Sequence, residues 1–176
     1  MENKIPYLLE KMCDKSEAEA FEYADKLAVI GTEEVVDQLI EIIKGEDQDA
    51  AYLAARALSK IENNQKALDP LMDIILDNKN KNTNGLFVQA LEGFDLSGKF
   101  VDLLRIYLFG NFKSSSLAKD YLDHVEFDLS PRTIKKAEKH WNHYINNIDK
   151  ESDDFLIKKE EVESILQEIK QLFLEE

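Results

Sequence analysis

The chain has 176 residues and a formal charge of −14, and its 44% hydrophobic and 33% charged content can fill a core and keep a surface wet. Six glycines and three prolines are too few for an all-β chain of many tight turns, and the one cysteine, Cys13, excludes an internal disulfide and fits a reducing compartment. Residues 111–147 carry a net +1, against −7 for 1–60 and −6 for 148–176, so the electropositive footprint of a nucleic-acid binder is missing.

No apolar run approaches the ~18 residues that span a bilayer. The charged start from Met1 to Tyr7 lacks the apolar stretch of a secretory leader, so a cytoplasmic protein is expected.

In chain order, the first helical hairpin is predicted over 16–30 and 32–44. Ser16 and Glu19 have capping-box spacing, Thr32 can cap the second helix, and Glu33 and Glu34 suit its positive dipole end. Gly31 and Gly45 fall just past helix ends, where a left-handed residue is favoured. The second hairpin is expected over 47–61 and 65–77, with Pro70 delaying or bending its second helix. A polar stretch, 78–84, reads as a mobile loop before a third hairpin over 84–94 and 98–109. The fourth hairpin is placed over 114–125 and 130–148, where Ser130 followed by Pro131 is a strong helix start. After acidic residues 149–154, one helical face collects Phe155, Val162, Ile165, Leu166, Ile169, Leu172 and Phe173. Such a helix can close the end of a stack or pair with a partner.

The hairpins repeat. Leu27, Ile30, Val36, Leu39 and Ile43 are matched by Leu58, Ile61, Leu68, Leu71 and Ile75, then by Leu91, Phe94, Val101, Leu104 and Leu108. A degenerate fourth copy keeps Tyr121, Phe127 and Ile134 but has His124 where leucine is expected. The stretch Asp49 to Ile61, DAAYLAARALSKI, with its partner helix ending at Asp77, resembles HEAT repeats of the phycobilisome-lyase-like kind. The resemblance covers about 16–127 and is carried by packing residues. The fold expected is therefore all-α: a short right-handed α-α superhelix, a HEAT-like solenoid of about four hairpins over 1–148, with an acidic linker and capping helix over 149–176.

Chemical candidates are few. His140 and His143 share one side of a helix and could supply two metal ligands, with Glu138 or Asp120 as a third, but no cysteine accompanies them. Cys13 has no histidine near it in sequence, and no nucleophile elbow, phosphate loop or dinucleotide fingerprint occurs. No metal, cofactor or catalytic residue is expected. The acids Glu33, Glu34, Asp37, Glu41, Asp69 and Asp73 on the second helices would repel a duplex. Trp141 and Tyr144, beside His140 and Lys136, fit either a core or an exposed binding anchor.

The function expected is a non-enzymatic interaction or scaffold module with a largely acidic surface. Its candidate partner-binding residues are Glu34, Asp37, Glu41 and Asp73 at one end, and Arg105, Lys136, His140, Trp141, His143 and Tyr144 in the C-terminal half. The partner expected is a protein of basic character, the chain itself a monomer. Two alternatives stand beside this: an acidic inhibitor or immunity-type protein seated on a basic enzyme, and, implied by the resemblance, a bilin-lyase-like protein that handles a cofactor.

Overall fold

Thr32 marks where the chain turns from one helix into the next. Its side chain accepts from the Val35 N–H, and Gly31 just before it takes φ +54°, donating to Leu27 O at 3.0 Å. A left-handed residue closes one helix and a hydroxyl opens the following one. The structure is a computed structural model and describes residues 4–173. Among these residues there are ten α-helices and no strands.

The chain divides into two compact units, one ending at Asp95 and the other beginning at Leu96. The first unit holds α1 (Lys4–Cys13), α2 (Ala20–Ile30), α3 (Glu33–Ile43), α4 (Gln48–Leu58), α5 (Leu68–Leu76) and α6 (Gly85–Ala90). The hairpins stack in two layers. The first helices pack as α2 on α4 and α4 on α6, while the second helices pack as α3 on α5, and α1 covers α2. The alanines of α4 make the stacking possible, because Ala50, Ala51, Ala54, Ala55 and Ala57 are all buried and let neighbouring helices approach closely. Of the fifteen apolar positions in the three aligned copies, all but Ile30 and Val101 are buried.

Several local expectations change. Ser16 forms no capping box, because its hydroxyl and N–H both turn to the Asp14 carboxylate and the helix begins only at Ala20. Gly45 has no positive φ. Pro70 sits in the first turn of α5, where a missing N–H breaks no helical hydrogen bond, after a short 3-10 turn over Gln65–Ala67. The polar stretch 78–84 works as a cap: Asn80 Nδ2 donates to Ile74 O at 3.0 Å and Asn84 Nδ2 to Ile75 O at 2.8 Å. Those carbonyls lie in the last turn of α5 and have no acceptor role inside the helix.

The second unit holds α7 (Phe100–Phe109), α8 (Phe112–His124), α9 (Pro131–Asn147) and α10 (Asp153–Leu172). Its helices do not form the expected fourth hairpin. Both α8 and α9 pack on α7, and their connection runs extended past the start of that helix. There Asp128 N donates to Ser97 O at 2.9 Å and Phe127 meets Phe100 edge-on at 5.2 Å. Ser130 caps α9 by accepting from Thr133 N, with Pro131 at the first position, as the sequence predicts. α10 starts at a Ser152 cap and packs on α9, burying Phe155, Val162, Leu166 and Ile169, while Leu172 of its predicted apolar face is exposed.

Candidate partner-binding surfaces

In the first unit, the periodicity that buries Val35, Val36, Leu39, Ile40 and Ile43 of α3 leaves Glu34, Asp37 and Glu41 exposed, at spacings of three and four residues. Asp73 is exposed on the neighbouring α5. Lys66 Nζ lies 2.6 Å from Asp37 and 3.2 Å from Glu33. The hydrogen bond to Asp37, outweighing solvation loss, raises the Lys66 pKa, so this cation stays charged. Glu41 pairs at 3.1 Å with Lys44 one turn on. Exposed pairs of this kind contribute little to stability and leave the carboxylates open to exchange partners.

In the second unit, Arg105 on α7 bonds Asp102 at 3.3 Å and lies near His140 on α9. Burial, then the charges of Arg105 and Lys139, depress the His140 pKa below its ordinary 6.5, against a smaller opposing pull from Asp102. Lys136 and His143 are exposed on α9, and the His143 ring lies 5.9 Å from that of Phe109. Arg105 and His140 are thus brought together, with Lys136 and His143 on the turns of α9 that flank His140.

Trp141 and Tyr144 correct the reading of exposed anchors. On α9 the positions Ile134, Ala137, Trp141 and Tyr144 form the buried stripe. The two rings stack at 5.7 Å, Tyr144 stacks in turn on Phe155 at 6.4 Å, and Phe109 meets Tyr144 edge-on. At Phe109, Trp141, Tyr144 and Phe155 the aromatic gathering is packing. Among the described residues no group of three or more His, Cys, Asp or Glu could hold a metal ion. At Cys13, burial and the Asp47 charge push the thiol pKa up, away from the thiolate form that reacts.

Sequence reasoning missed a polar network under α10. Lys158 is buried, with Nζ 3.0 Å from Asp154 and beside the faces of Tyr107 and Tyr144 at 5.4 and 5.7 Å. The Tyr107 hydroxyl donates to Glu161, and that of Tyr144 to Asp154 at 3.3 Å. The signal was present: Lys158 falls between Phe155 and Val162 on the apolar stripe of the tail, a cation where a hydrophobe is expected.

Paired helices stacked in two layers, joined by short capped turns, define a helical-repeat protein. The family model for HEAT repeats matches residues 5–92, half of the chain, and the chain belongs to that family. Neither the curated proteins nor the solved structures contain a match to it. HEAT repeats generally mediate protein–protein interaction or scaffolding. No helix among the described residues is long and apolar enough to cross a membrane.

Proposed function

We propose that this HEAT-repeat protein acts by binding and not by catalysis, and that its partner is a basic protein engaged by the carboxylates of α3 and α5. The observation that carries this reading is the exposed set Glu34, Asp37, Glu41 and Asp73, which projects from two adjacent helices whose other faces are core. A chain of net charge −14 attracts basic partners at long range and repels acidic ones, so charge sets both association rate and selectivity. An inhibitor or immunity-type protein is a special case, in which the basic surface is the active site of an enzyme. A complex formed through these groups loosens as salt rises. Isolation from the source cell in low salt is expected to bring down a basic protein that is released by added salt. Recovery of an acidic partner, or one held equally well at high salt, would contradict the reading.

A further inference from the structure

The second unit carries a cleft of mixed apolar and charged lining that the α3 and α5 carboxylates do not explain. Phe112 is 92% exposed and Ile157 59% exposed, and both line a cleft of about 490 Å³ together with Tyr107 and Ser115. Large apolar side chains left open beside a concavity offer a partner a contact that water does not satisfy.

The charges in the cleft are layered. Lys158 and Lys119 lie inside, with side chains only 8% and 23% exposed, and each already faces a carboxylate. Their partners Asp154 and Glu161 stand outside, 65% and 36% exposed. Lys119 is held further by Asp123 at 2.6 Å. The inner cations and the Tyr107 hydroxyl fix the carboxylates in place, and a visitor meets two carboxylates beside the exposed Phe112 and Ile157 while the lysines lie beneath.

We propose that this cleft receives a basic amphipathic segment of a partner protein, with apolar side chains against Phe112 and Ile157 and lysine or arginine heads on Asp154 and Glu161. Charge complementarity selects this occupant: an acidic segment would meet the exposed carboxylates first, and an uncharged one would leave their capacity unused. The proposal rests on the reading of the chain as a protein-binding module but not on the carboxylates of α3 and α5.

The test uses the full chain, labelled for amide spectroscopy, and an 18-residue leucine–lysine amphipathic peptide as probe. Two control peptides replace lysine by glutamate, or leucine by serine. The leucine–lysine peptide is expected to shift amides within 107–119 and 154–161. The double variant Phe112→Ser, Ile157→Ser is expected to bind it at least about tenfold more weakly, since both apolar contacts are lost. Both residues are exposed, so the variant keeps its fold, which its unperturbed amide spectrum would verify. In the variant Glu34→Gln, Glu41→Gln, Asp73→Asn the amide shifts within 107–119 and 154–161 are expected to persist, even if shifts on α3 and α5 are lost, which separates this site from the one on α3 and α5. Equal binding of either control peptide, shifts confined to α3 and α5, or no shift at all would overturn the proposal.

Discussion

Asn64 donates from Nδ2 to the carbonyl of Gly93 at 2.9 Å, and from the same nitrogen to that of Leu58 at 2.7 Å. One buried amide therefore ties the end of α4 to the end of the following hairpin's first helix, reaching the Gly93 carbonyl and adding a second donor to the Leu58 carbonyl, which also accepts from Ile61 N at 3.2 Å. The approach is close because Gly93 has no side chain: a Cβ there would stand 1.8 Å from Ser59 O.

Gly93→Ala is expected to destabilise the first unit far beyond the ~1 kcal/mol of a typical substitution, since backbone must move to admit the methyl. Asn64→Leu leaves the part-buried Gly93 carbonyl without this donor and the Leu58 carbonyl with the Ile61 N–H alone, and is expected to cost about 1 kcal/mol or more. Urea unfolding of the two variants measures both. If Gly93→Ala unfolds at the parent's midpoint, the close approach of these turns is wrong.

Asp25 couples α2 to the end of α4, with Lys60 Nζ at 2.6 Å and Arg56 at 3.1 Å. Burial works to raise its carboxyl pKa, but the hydrogen bonds and charges of Lys60 and Arg56 outweigh it and hold the pKa below the ordinary 3.8. A depressed carboxyl stabilises the folded state above its unfolded pKa, and the gain fades as pH falls below about 3.8 through the folded value. Asp25→Asn is therefore expected to cost stability at pH 7 and to differ progressively less from the parent as the solution is acidified. A constant difference across that range would refute the assignment.

His140 titrates in a more accessible window. Its folded pKa lies below 6.5, so the unfolded chain binds a proton more readily and folding weakens as pH drops through and below 6.5. Proton NMR of the ring should place its midpoint under the ordinary value. Arg105→Gln removes one of the repelling charges and should move the midpoint upward. An unchanged midpoint would separate Arg105 from His140.

At alkaline pH the network under α10 is the reporter. Burial first, then hydrogen bonding and charge from Glu161, raise the Tyr107 pKa, while burial and the Asp154 charge push that of Tyr144 up to about 12. A raised tyrosine holds its proton in the folded state while the unfolded chain loses it above pH 10, so stability declines as pH climbs past 10. Absorbance titration should find both hydroxyls still protonated at pH 11, with Glu161→Gln lowering the Tyr107 midpoint. Tyr107→Phe, which removes a bond to a partly solvated carboxylate, should cost about 1 kcal/mol.

The repeat was legible because packing writes itself into sequence at fixed spacing. Leu39, Leu71 and Leu104 are core in each copy, and Thr32, Asp47 and Ser130 cap where their side chains can reach the next turn. The fourth copy misled because Tyr121 and Phe127 satisfy the spacing yet are only half-buried, with the helices after Gly110 arranged around α7. Residues 78–84 read as loop from polarity, but Asn80 and Asn84 spend that polarity on the carbonyls of α5. Trp141 and Tyr144 were ambiguous because an aromatic beside a cation looks alike in a core and at an interface. Only the stripe running from Ile134 to Tyr144 separates the two. Of the polar network, only Lys158 on the apolar stripe and its i,i+4 partner Asp154 leave a trace in spacing, and Tyr107 and Tyr144 join them through tertiary packing that no spacing encodes.

The central claim is that exposed carboxylates on α3 and α5 hold a basic protein. The most direct measurement compares the protein recovered from the source cell by the parent chain and by the variant Glu34→Gln, Glu41→Gln, Asp73→Asn. All three positions are exposed, so folding is expected to be unchanged, which circular dichroism can verify. The account predicts that the parent retains a basic protein at low salt and that the folded variant loses it. Recovery of the same protein in equal yield by both would contradict the account.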